Sequence, residues 1–500
     1  MSQSKTNVLA VTIAIYVATF VSAIEGTIVS TALPTIVGNL HGVALMNWVF
    51  SIYLLATAMV TPIYGKLADV IGRKPVMQFG LAVFIVGSAM SGLSTSMPVL
   101  IFWRAIQGIG AGALLPVSMT IIADIYAIEK RAKILGITNS AWGIAAVLAP
   151  LLGGIIIDKL SWHWIFFINV PVGLITMILF QLYLHEPKRQ RTESIDYLGS
   201  FWLMVCLLSL MLSFQVLSSQ PIVWAAFIGG LVVSIVSLIL FIRREKRAAD
   251  PIISLELFKN RPFIVQNAIA ALINGYLMAL TVYVPTWGQG IHGVSASEAG
   301  LALTPNSLMW VVGAFATSYF LARWTPRRIL YFSLAFILVA GLVLALLPLE
   351  APFGWFFIIT AVNGFGFGIA MTTTTLTSQR LVSAENVGVA TSFNTLGRTI
   401  GQTLMVSIFG IILNTGMQQD MQHYAGTNMA MMNRLINPQT ASTLPEKLLP
   451  ALRHILYNGL HWVYVIGFGI IVLSFVINRL DSSNRILGNG AASEESSSAQ

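Results

Sequence analysis

The sequence predicts an all-α, polytopic membrane protein. Of its 500 residues, 56% are hydrophobic and only 9% are charged, whereas soluble proteins carry about 25% charged residues. The apolar residues form long runs, and a run of roughly 17–25 such residues is what an α-helix needs to cross a bilayer. Lysine and arginine fall mainly in every second connection between the runs. Together, these three observations indicate an integral membrane protein.

Fourteen apolar runs follow one another along the chain. We predict membrane spans at residues 8–33, 47–65, 75–94, 98–122, 133–157, 164–184, 198–218, 222–242, 263–286, 298–320, 328–348, 353–376, 387–414 and 456–479. The first run is long enough to span and lacks a clear small-residue cleavage site, so we expect it to remain in the mature protein. An even number of spans places both termini on the same side of the membrane.

The positive charges orient these spans. One set of alternate connections holds twenty-two of the 28 lysines and arginines. The other set holds only Lys159, Arg434, Lys447 and Arg453. Because connections rich in lysine and arginine stay in the cytoplasm, we predict a multi-pass protein of the cell (cytoplasmic) membrane with both termini cytoplasmic. The net charge of +9 follows from this topology, and we expect no nucleic-acid partner.

Two parts of the chain share one plan. The connection after span 2 is similar to the one after span 10, and the glycine-rich segment of span 4 is similar to that of span 12. Spans 1–6 therefore match spans 9–14, with spans 7 and 8 inserted between them. We predict an N-terminal six-helix half at 1–186, a two-helix insertion at 187–247, a C-terminal six-helix half at 248–480 with an external loop at 416–455, and a disordered cytoplasmic tail at 481–500. Parallel halves are typical of secondary transporters.

Two ionisable residues lie inside spans of the N-terminal half, Glu25 in span 1 and Arg104 in span 4. A charged side chain at the bilayer centre costs about 2.5–3.5 kcal/mol on insertion scales, so each indicates a functional site. Burial disfavours the charged form of a carboxylate, so Glu25 could bind a proton from one side and a cationic substrate from the other. A nearby Arg104 would oppose this effect of burial, because its positive charge favours the charged form of the Glu25 carboxylate. The alternatives are a structural hydrogen bond for Glu25 and, for Arg104, an interhelical pin that holds carbonyls and Gln107.

Five motifs follow in a fixed order. They are Ile24–Pro34 in span 1, Gly65–Lys74 after span 2, Arg104–Ala113 in span 4, Ala149–Gly154 in span 5 and Trp162–Gly173 before span 6. This series resembles the Major Facilitator Superfamily, and within it the fourteen-span drug:proton antiporters of the EmrB/QacA type. The sequence departs from that pattern at Glu25, where Asp is usual, at Ser30, where Asn is common, and at Ala145 and Ala149, where glycines are usual. The resemblance implies a Major Facilitator-type fold with 14 transmembrane helices, arranged as two six-helix halves plus a two-helix insertion.

The resemblance also implies roles for the motif residues. Glu25 and Arg104 would carry proton coupling. A gating motif in the cytoplasmic loop would act as a conformational latch, with these members and partners: Gly65, Asp69, Gly72, Arg73, Lys74, Asp124 and Arg131. An antiporter motif would bend span 5 and prevent leaks, through Ala149, Pro150, Gly153 and Gly154. Topology alone would also explain Arg73 and Lys74, and close helix packing would explain the glycines.

A substrate cavity is predicted from polar and aromatic residues within the spans. Its candidate residues are Glu25, Tyr53, Gln107, Trp142, Asn274, Asn363 and Arg398. Aromatic faces attract lipophilic cations by roughly 0.5–2 kcal/mol each, although Trp and Tyr also form interfacial belts. Arg398 could pair with a carboxylate, accept an anionic substrate group or reach toward the interface. Gly108, Gly112, Gly364 and Gly368 are interpreted as helix-packing residues.

The predicted function is therefore multidrug efflux, with amphipathic and mainly cationic drugs exported in exchange for protons by alternating access. The expected partners are lipophilic drugs, protons and the lipid bilayer, with no cofactor and no metal. One alternative is transport of a specific metabolite or anionic substrate on the same fold, with Arg398 as the binding group. Another is a membrane enzyme or sensor, which clustered intramembrane catalytic groups would favour and which the sequence does not support. The external loop could contact an adaptor protein, but nothing in the sequence indicates one.

Overall fold

The computed structural model describes residues 6–126, 128–186, 196–216, 223–247, 255–382, 387–436 and 438–482. These residues are almost entirely helical and include no β-strand. The helices before residue 250 are α1 (Val8–Leu40), α2 (Met46–Ile71), α3 (Arg73–Gly92), α4 (Met97–Ile125), α5 (Ile128–Lys159), α6 (His163–Phe167), α7 (Asn169–Tyr183), α8 (Tyr197–Val216) and α9 (Trp224–Glu245). The later helices are α10 (Arg261–Trp287), α11 (Ala296–Leu301), α12 (Thr304–Leu321), α13 (Pro326–Ala345), α14 (Trp355–Arg380), α15 (Val387–Met421), α16 (Met429–Ile436), α17 (Pro438–Ala441) and α18 (Leu449–Ile477).

Each predicted span overlaps at least one of these helices. Eleven segments among the described residues are long and apolar enough to cross a membrane, and three shorter apolar helices lie at Ile28–Leu40, Trp48–Thr61 and Leu198–Phe214. The all-helical membrane fold is confirmed, whereas the count of fourteen crossings stays a prediction. Two predicted spans are divided by a break: α6 and α7 share the span at 164–184, and α11 and α12 share the one at 298–320. Pro305 lies in the first turn of α12, where its missing N–H costs no helical hydrogen bond.

The helices form two compact units. Unit 1 comprises Met1–Ile252, Pro285–Leu301 and Val406–Gly459, and unit 2 comprises Ile253–Val284, Ala302–Met405 and Leu460–Gln500. In unit 1, α4 packs on α2 and α3, and α1 packs on α5 and α7. In unit 2, α14 packs on α12 and α13. The two matching six-helix halves and the two-helix insertion between them were inferred from similarity within the sequence. That division stays a prediction.

Glycines allow the closest helix contacts in both units. In α4, a Cβ at Gly108 would lie 2.5 Å from the carbonyl oxygen of Tyr53 in α2, and a Cβ at Gly112 would lie 3.0 Å from that of Thr57. In α14, a Cβ at Gly364 or Gly368 would collide with the carbonyl oxygen of Asn306 or Trp310 in α12. Backbones approach this closely only where one helix presents no side chain. The predicted packing role of all four glycines is confirmed.

Part of the segment predicted as an external loop is built into unit 1. Helix α15 continues to Met421, α16 and α17 follow, and α18 begins at Leu449. The side-chain oxygen of Asn433 in α16 accepts a hydrogen bond of 2.8 Å from the backbone N–H of Val43. At the other end of the chain, Asp481 is buried and accepts a hydrogen bond of 2.8 Å from Gln266. The remaining predicted tail, 483–500, lies outside the described residues.

Candidate functional site

The two ionisable residues of the N-terminal spans meet in the interior of unit 1. Glu25 lies on α1 and Arg104 on α4, and both side chains are 0% exposed. Arg104 Nη1 donates to Glu25 Oε1 in a buried ion pair. A lone buried charge costs several kcal/mol, whereas a paired and hydrogen-bonded one recovers most of that cost. The pair therefore explains how both charges are accommodated in an apolar bundle.

Amide side chains complete the coordination of this pair. Asn169, at the start of α7, donates through Nδ2 to Glu25 Oε2 at 2.6 Å. Arg104 Nη1 also donates to Gln107 Oε1 at 2.7 Å, and Arg104 Nε donates to the carbonyl oxygen of Val49 at 3.1 Å. Both carboxylate oxygens of Glu25 thus accept hydrogen bonds.

Ser88 on α3 links the two amides. Its Oγ accepts a hydrogen bond of 3.1 Å from Gln107 Nε2 and one of 3.0 Å from Asn169 Nδ2. It donates in turn to the carbonyl oxygen of Phe166 at 2.9 Å. The polar network therefore crosses α1, α3, α4 and α7. Within this network, Arg104 Nη2 is buried and has no hydrogen-bond partner among the described residues.

An aromatic ring lies against the guanidinium. The ring centroid of Tyr53 on α2 is 4.1 Å from Arg104 Cζ, and that of Phe166 on α6 is 5.8 Å away. A cation held over an aromatic face is stabilised by roughly 0.5–2 kcal/mol. The structure thus brings together four of the predicted residues: Glu25, Arg104, Gln107 and Tyr53. Sequence reasoning did not include Asn169 and Ser88 in the site. Asn169 lies within the motif Trp162–Gly173, whereas nothing in the sequence singles out Ser88.

The other predicted cavity residues lie elsewhere. Trp142 on α5 is 37% exposed and stands outside the network of described side chains. Asn274, Asn363 and Arg398 belong to unit 2. Asn363 is buried and donates to Asn306 Oδ1 at 2.8 Å, and Asn274 donates to the carbonyl oxygen of Ala270 at 2.7 Å. The two asparagines therefore link neighbouring turns and helices of unit 2.

The loop motif forms a compact electrostatic cluster at the junction of α2 and α3. Gly72 ends α2 with φ of 113°, a conformation that glycine adopts at little cost. Arg73 Nε lies 2.8 Å from Asp124 Oδ2, near the end of α4. Glu186 accepts hydrogen bonds from the backbone N–H groups of Arg73 at 2.8 Å and Lys74 at 3.2 Å, and an anion is favoured at such a helix N-terminus. The side chains of Asp69 and Arg131 lie outside what the structure describes.

The small residues of the span 5 motif face two different neighbours. A Cβ at Gly153 would lie 3.0 Å from Ile28 Cγ1 and 3.2 Å from the carbonyl oxygen of Ile28 on α1. A Cβ at Gly154 would collide with the backbone of Ser297 in α11. Ala149 is fully buried, and the side chain of Pro150 is not described. Close approach to α1 and α11 therefore accounts for both glycines.

No cluster of three or more His, Cys, Asp or Glu side chains that could hold a metal ion occurs among the described residues. The site in unit 1 offers one carboxylate, one guanidinium and their amide and hydroxyl partners. Such a set can exchange a proton or a cation at Glu25 when the ion pair opens.

Comparison with known proteins is consistent with this geometry. A family model of the Major Facilitator Superfamily matches residues 15–406. Multidrug resistance protein 3 of Bacillus subtilis (strain 168) is 34% identical over 91% of this chain and 91% of its own length. Multidrug transporter protein MdtP of the same organism is 30% identical over 92% of this chain and 90% of its own.

A solved structure shares the fold. The crystal structure of a bacterial homologue of the human lysosomal transporter Spinster, in an inward-facing and occupied conformation, covers 97% of this chain and 99% of its own with a TM-score of 0.67. The two sequences are 17% identical, so this likeness concerns the fold alone. The motif series, the helical architecture and the match along most of the sequence lead to one conclusion, that this chain belongs to the Major Facilitator Superfamily.

Proposed function

We propose that this chain is a multidrug efflux transporter that exports amphipathic, mainly cationic drugs in exchange for protons by alternating access. The chain is a transporter and not an enzyme. The names of its relatives support drug efflux. The observation that carries the proposal is the buried Glu25–Arg104 pair in unit 1.

The pair offers a physical basis for exchange. Arg104 donates to one carboxylate oxygen of Glu25 and Asn169 donates to the other. If Arg104 withdraws, the desolvated carboxylate must bind another positive charge, because an uncompensated buried anion is strongly destabilised. A proton and a cationic drug would then compete for one carboxylate. Occupancy by one excludes the other, and this exclusion is what makes transport an exchange.

The driving force would be the proton gradient. The sequence contains no phosphate-binding loop of the GxxxxGK[ST] type, so we expect no coupling to ATP. Each elementary charge that crosses the membrane potential is worth about 2.3 kcal/mol per 100 mV. Exchange of two protons for one monovalent cation would therefore be electrogenic.

The motifs at the helix junctions would control the conformational cycle. We assign the Arg73–Asp124 pair and Glu186 to a cytoplasmic latch, because they join α3 to α4 and to the end of α7. We assign Gly153 and Gly154 to closure on the external side, because they permit close contact of α5 with α1 and α11. We propose that both termini lie in the cytoplasm and that fourteen spans cross the cell membrane, because lysine and arginine concentrate in alternate connections.

The proposal is tested in proteoliposomes with an imposed pH gradient. The Glu25→Gln variant should lose proton-coupled drug transport, since its amide fills the same space without binding a proton near neutral pH. Glu25→Asp should retain coupling in part, because the carboxylate is kept. Glu350→Gln, which changes an exposed carboxylate between α13 and α14, is the matched control and should transport normally. Full coupling in Glu25→Gln would contradict the assignment of Glu25.

A further inference from the structure

Arg398 is an intramembrane cation that the proposed exchange does not use. It lies on α15 in unit 2, eleven residues after the first residue of the helix, which is roughly 16 Å along the axis at 1.5 Å per residue. Its Nη2 donates to the hydroxyl oxygen of Thr375 on α14. Its Nε is buried and has no hydrogen-bond partner within the described part of the chain.

The surroundings of Arg398 are polar but neutral. Asn394 and Gln402 lie one turn before and one turn after it on the same face of α15. Asn394 Nδ2 donates to Asn267 Oδ1 on α10 at 2.8 Å. Gln402 Nε2 lies 3.4 Å from the Oδ1 atom of Asn274, which is also on α10. Thr375 donates its own hydroxyl to the carbonyl oxygen of Met371 at 2.7 Å. Among the described residues, no carboxylate pairs with Arg398.

The contrast with Arg104 is informative. Arg104 has a carboxylate, an amide, a carbonyl and an aromatic ring as partners, whereas among the described residues Arg398 donates to one hydroxyl. A guanidinium carries five N–H donors and keeps its proton in proteins. A positive charge that is removed from bulk water without an anion costs several kcal/mol. Arg398 is only partly buried, so an anion from outside the chain can reach it.

We propose that Arg398 is the anion-binding group of unit 2 and that it binds the carboxylate of a transported amphiphile. The planar fork of a guanidinium fits a carboxylate with two parallel hydrogen bonds. One cation among neutral amides and hydroxyls balances a monoanion rather than a dianion. This inference rests on the proposed efflux function and specifies its substrate class: the cargo includes zwitterionic amphiphiles with a carboxylate as well as simple cations.

The experiment compares two fluorescent dyes on the purified full-length chain in detergent micelles. One is a zwitterionic rhodamine with a free carboxylate, and the other is the cationic methyl ester of the same dye. Fluorescence anisotropy gives the dissociation constant of each. Arg398→Gln should weaken binding of the carboxylate dye by about tenfold or more, as loss of a charge-assisted hydrogen bond does, and should leave the ester unchanged. Arg398→Lys should cause a smaller loss, since it keeps the charge without the fork.

The control is Arg323→Gln, which removes an exposed arginine at the end of α12 in the same unit. Both dyes should bind that variant as they bind the parent chain. Equal weakening of the two dyes by Arg398→Gln, or no weakening of either, would overturn the inference. A phospholipid headgroup with a single negative charge is the other source of an anion that Arg398 could bind. If removing such lipid abolished the difference between the dyes, the site would bind lipid and the cargo assignment would be wrong.

The two proposals can fail separately. Dye binding is measured without a proton gradient, so absence of selectivity at Arg398 leaves proton-driven export of the ester intact. Absence of that export in proteoliposomes would instead refute the efflux function. The thermal stability of each variant is recorded alongside. Arg398→Gln should be as stable as the parent chain or more stable, because it removes a charge that has no anion among its described neighbours.

Discussion

At the scale of single residues, the site depends on how buried charge is compensated. Glu25 and Arg104 are both fully buried, and each charge alone in an apolar bundle would cost several kcal/mol. Together they form one neutral unit, further satisfied by Asn169 and Gln107. The sequence identified both charges because each interrupts an apolar run. It could not pair them, because they lie 79 residues apart and the contact depends on the packing of α1 against α4.

The cost of separating this pair can be measured. Arg104→Met should destabilise the protein by about 3–5 kcal/mol, since it leaves the buried Glu25 carboxylate without its counter-charge. The double variant Glu25→Gln/Arg104→Met should recover much of that loss, because no charge then remains. The free energy of unfolding by denaturant in detergent micelles gives each value. Arg323→Met, at an exposed position, serves as the control. Losses that simply add in the double variant would show that the two residues do not interact.

At the scale of structural elements, short connections and glycines fix how the helices join. Helix α2 ends at Ile71 and α3 begins at Arg73, so Gly72 alone makes the turn, with φ of 113°. A Cβ at this position would also lie 2.8 Å from Glu186 Oε2, the carboxylate that caps α3. The motif contains a second glycine, Gly65, within α2, where a Cβ would meet no atom of another described element within 4 Å. Two glycines of one motif therefore have different physical roles.

This difference predicts opposite effects of alanine. Gly72→Ala should cost about 1–3 kcal/mol for the positive-φ backbone alone, with an added cost from contact with Glu186. Gly65→Ala should be neutral or stabilising by up to about 1 kcal/mol, because alanine is the better helix former. Denaturant unfolding of the two variants in the same detergent compares them directly. Equal destabilisation by both substitutions would contradict the claim that the positive φ of Gly72 is what makes alanine costly at that position.

At the scale of the whole molecule, charge distribution and span number determine the topology. The lysines and arginines lie mainly in alternate connections, which predicts cytoplasmic termini. Residues Ala322 and His423 are both exposed and are separated by the three predicted spans 11–13. An odd number of crossings between two positions places them on opposite sides of the membrane.

Cysteine labelling tests this topology. The single cysteine, Cys206, is first replaced in Cys206→Ser, and Ala322→Cys or His423→Cys is then added. In intact cells, a membrane-impermeant maleimide should label the cysteine of His423→Cys and leave that of Ala322→Cys unlabelled. After lysis, both should react. Labelling of both or neither in intact cells would contradict the predicted span count between these positions.

Much of the molecule follows from local sequence, whereas the site depends on long-range contacts. Apolar runs, loop charges and glycine spacing are properties of consecutive residues, and they predicted the helical membrane fold, the close contacts of Gly108 and Gly364, and the two buried charges. Trp142 is 37% exposed, and its place in a substrate cavity stays a prediction. In a membrane helix the lipid-facing and protein-facing sides are both apolar, so hydrophobic periodicity cannot assign a side chain to either face.

The sequence by itself determined that this chain is a helical membrane protein of the Major Facilitator type with Glu25 and Arg104 inside it. Only the tertiary structure decided which groups compensate those charges. Asn169 and Ser88 enter the network because α7 and α3 pack beside α1 and α4, and neither residue carries a charge that would distinguish it in the sequence. Likewise, the surroundings of Arg398 on α15 include Thr375 from α14 and, through Asn394 and Gln402, side chains of the more distant α10, since hydrogen bonds require proximity in space rather than along the sequence.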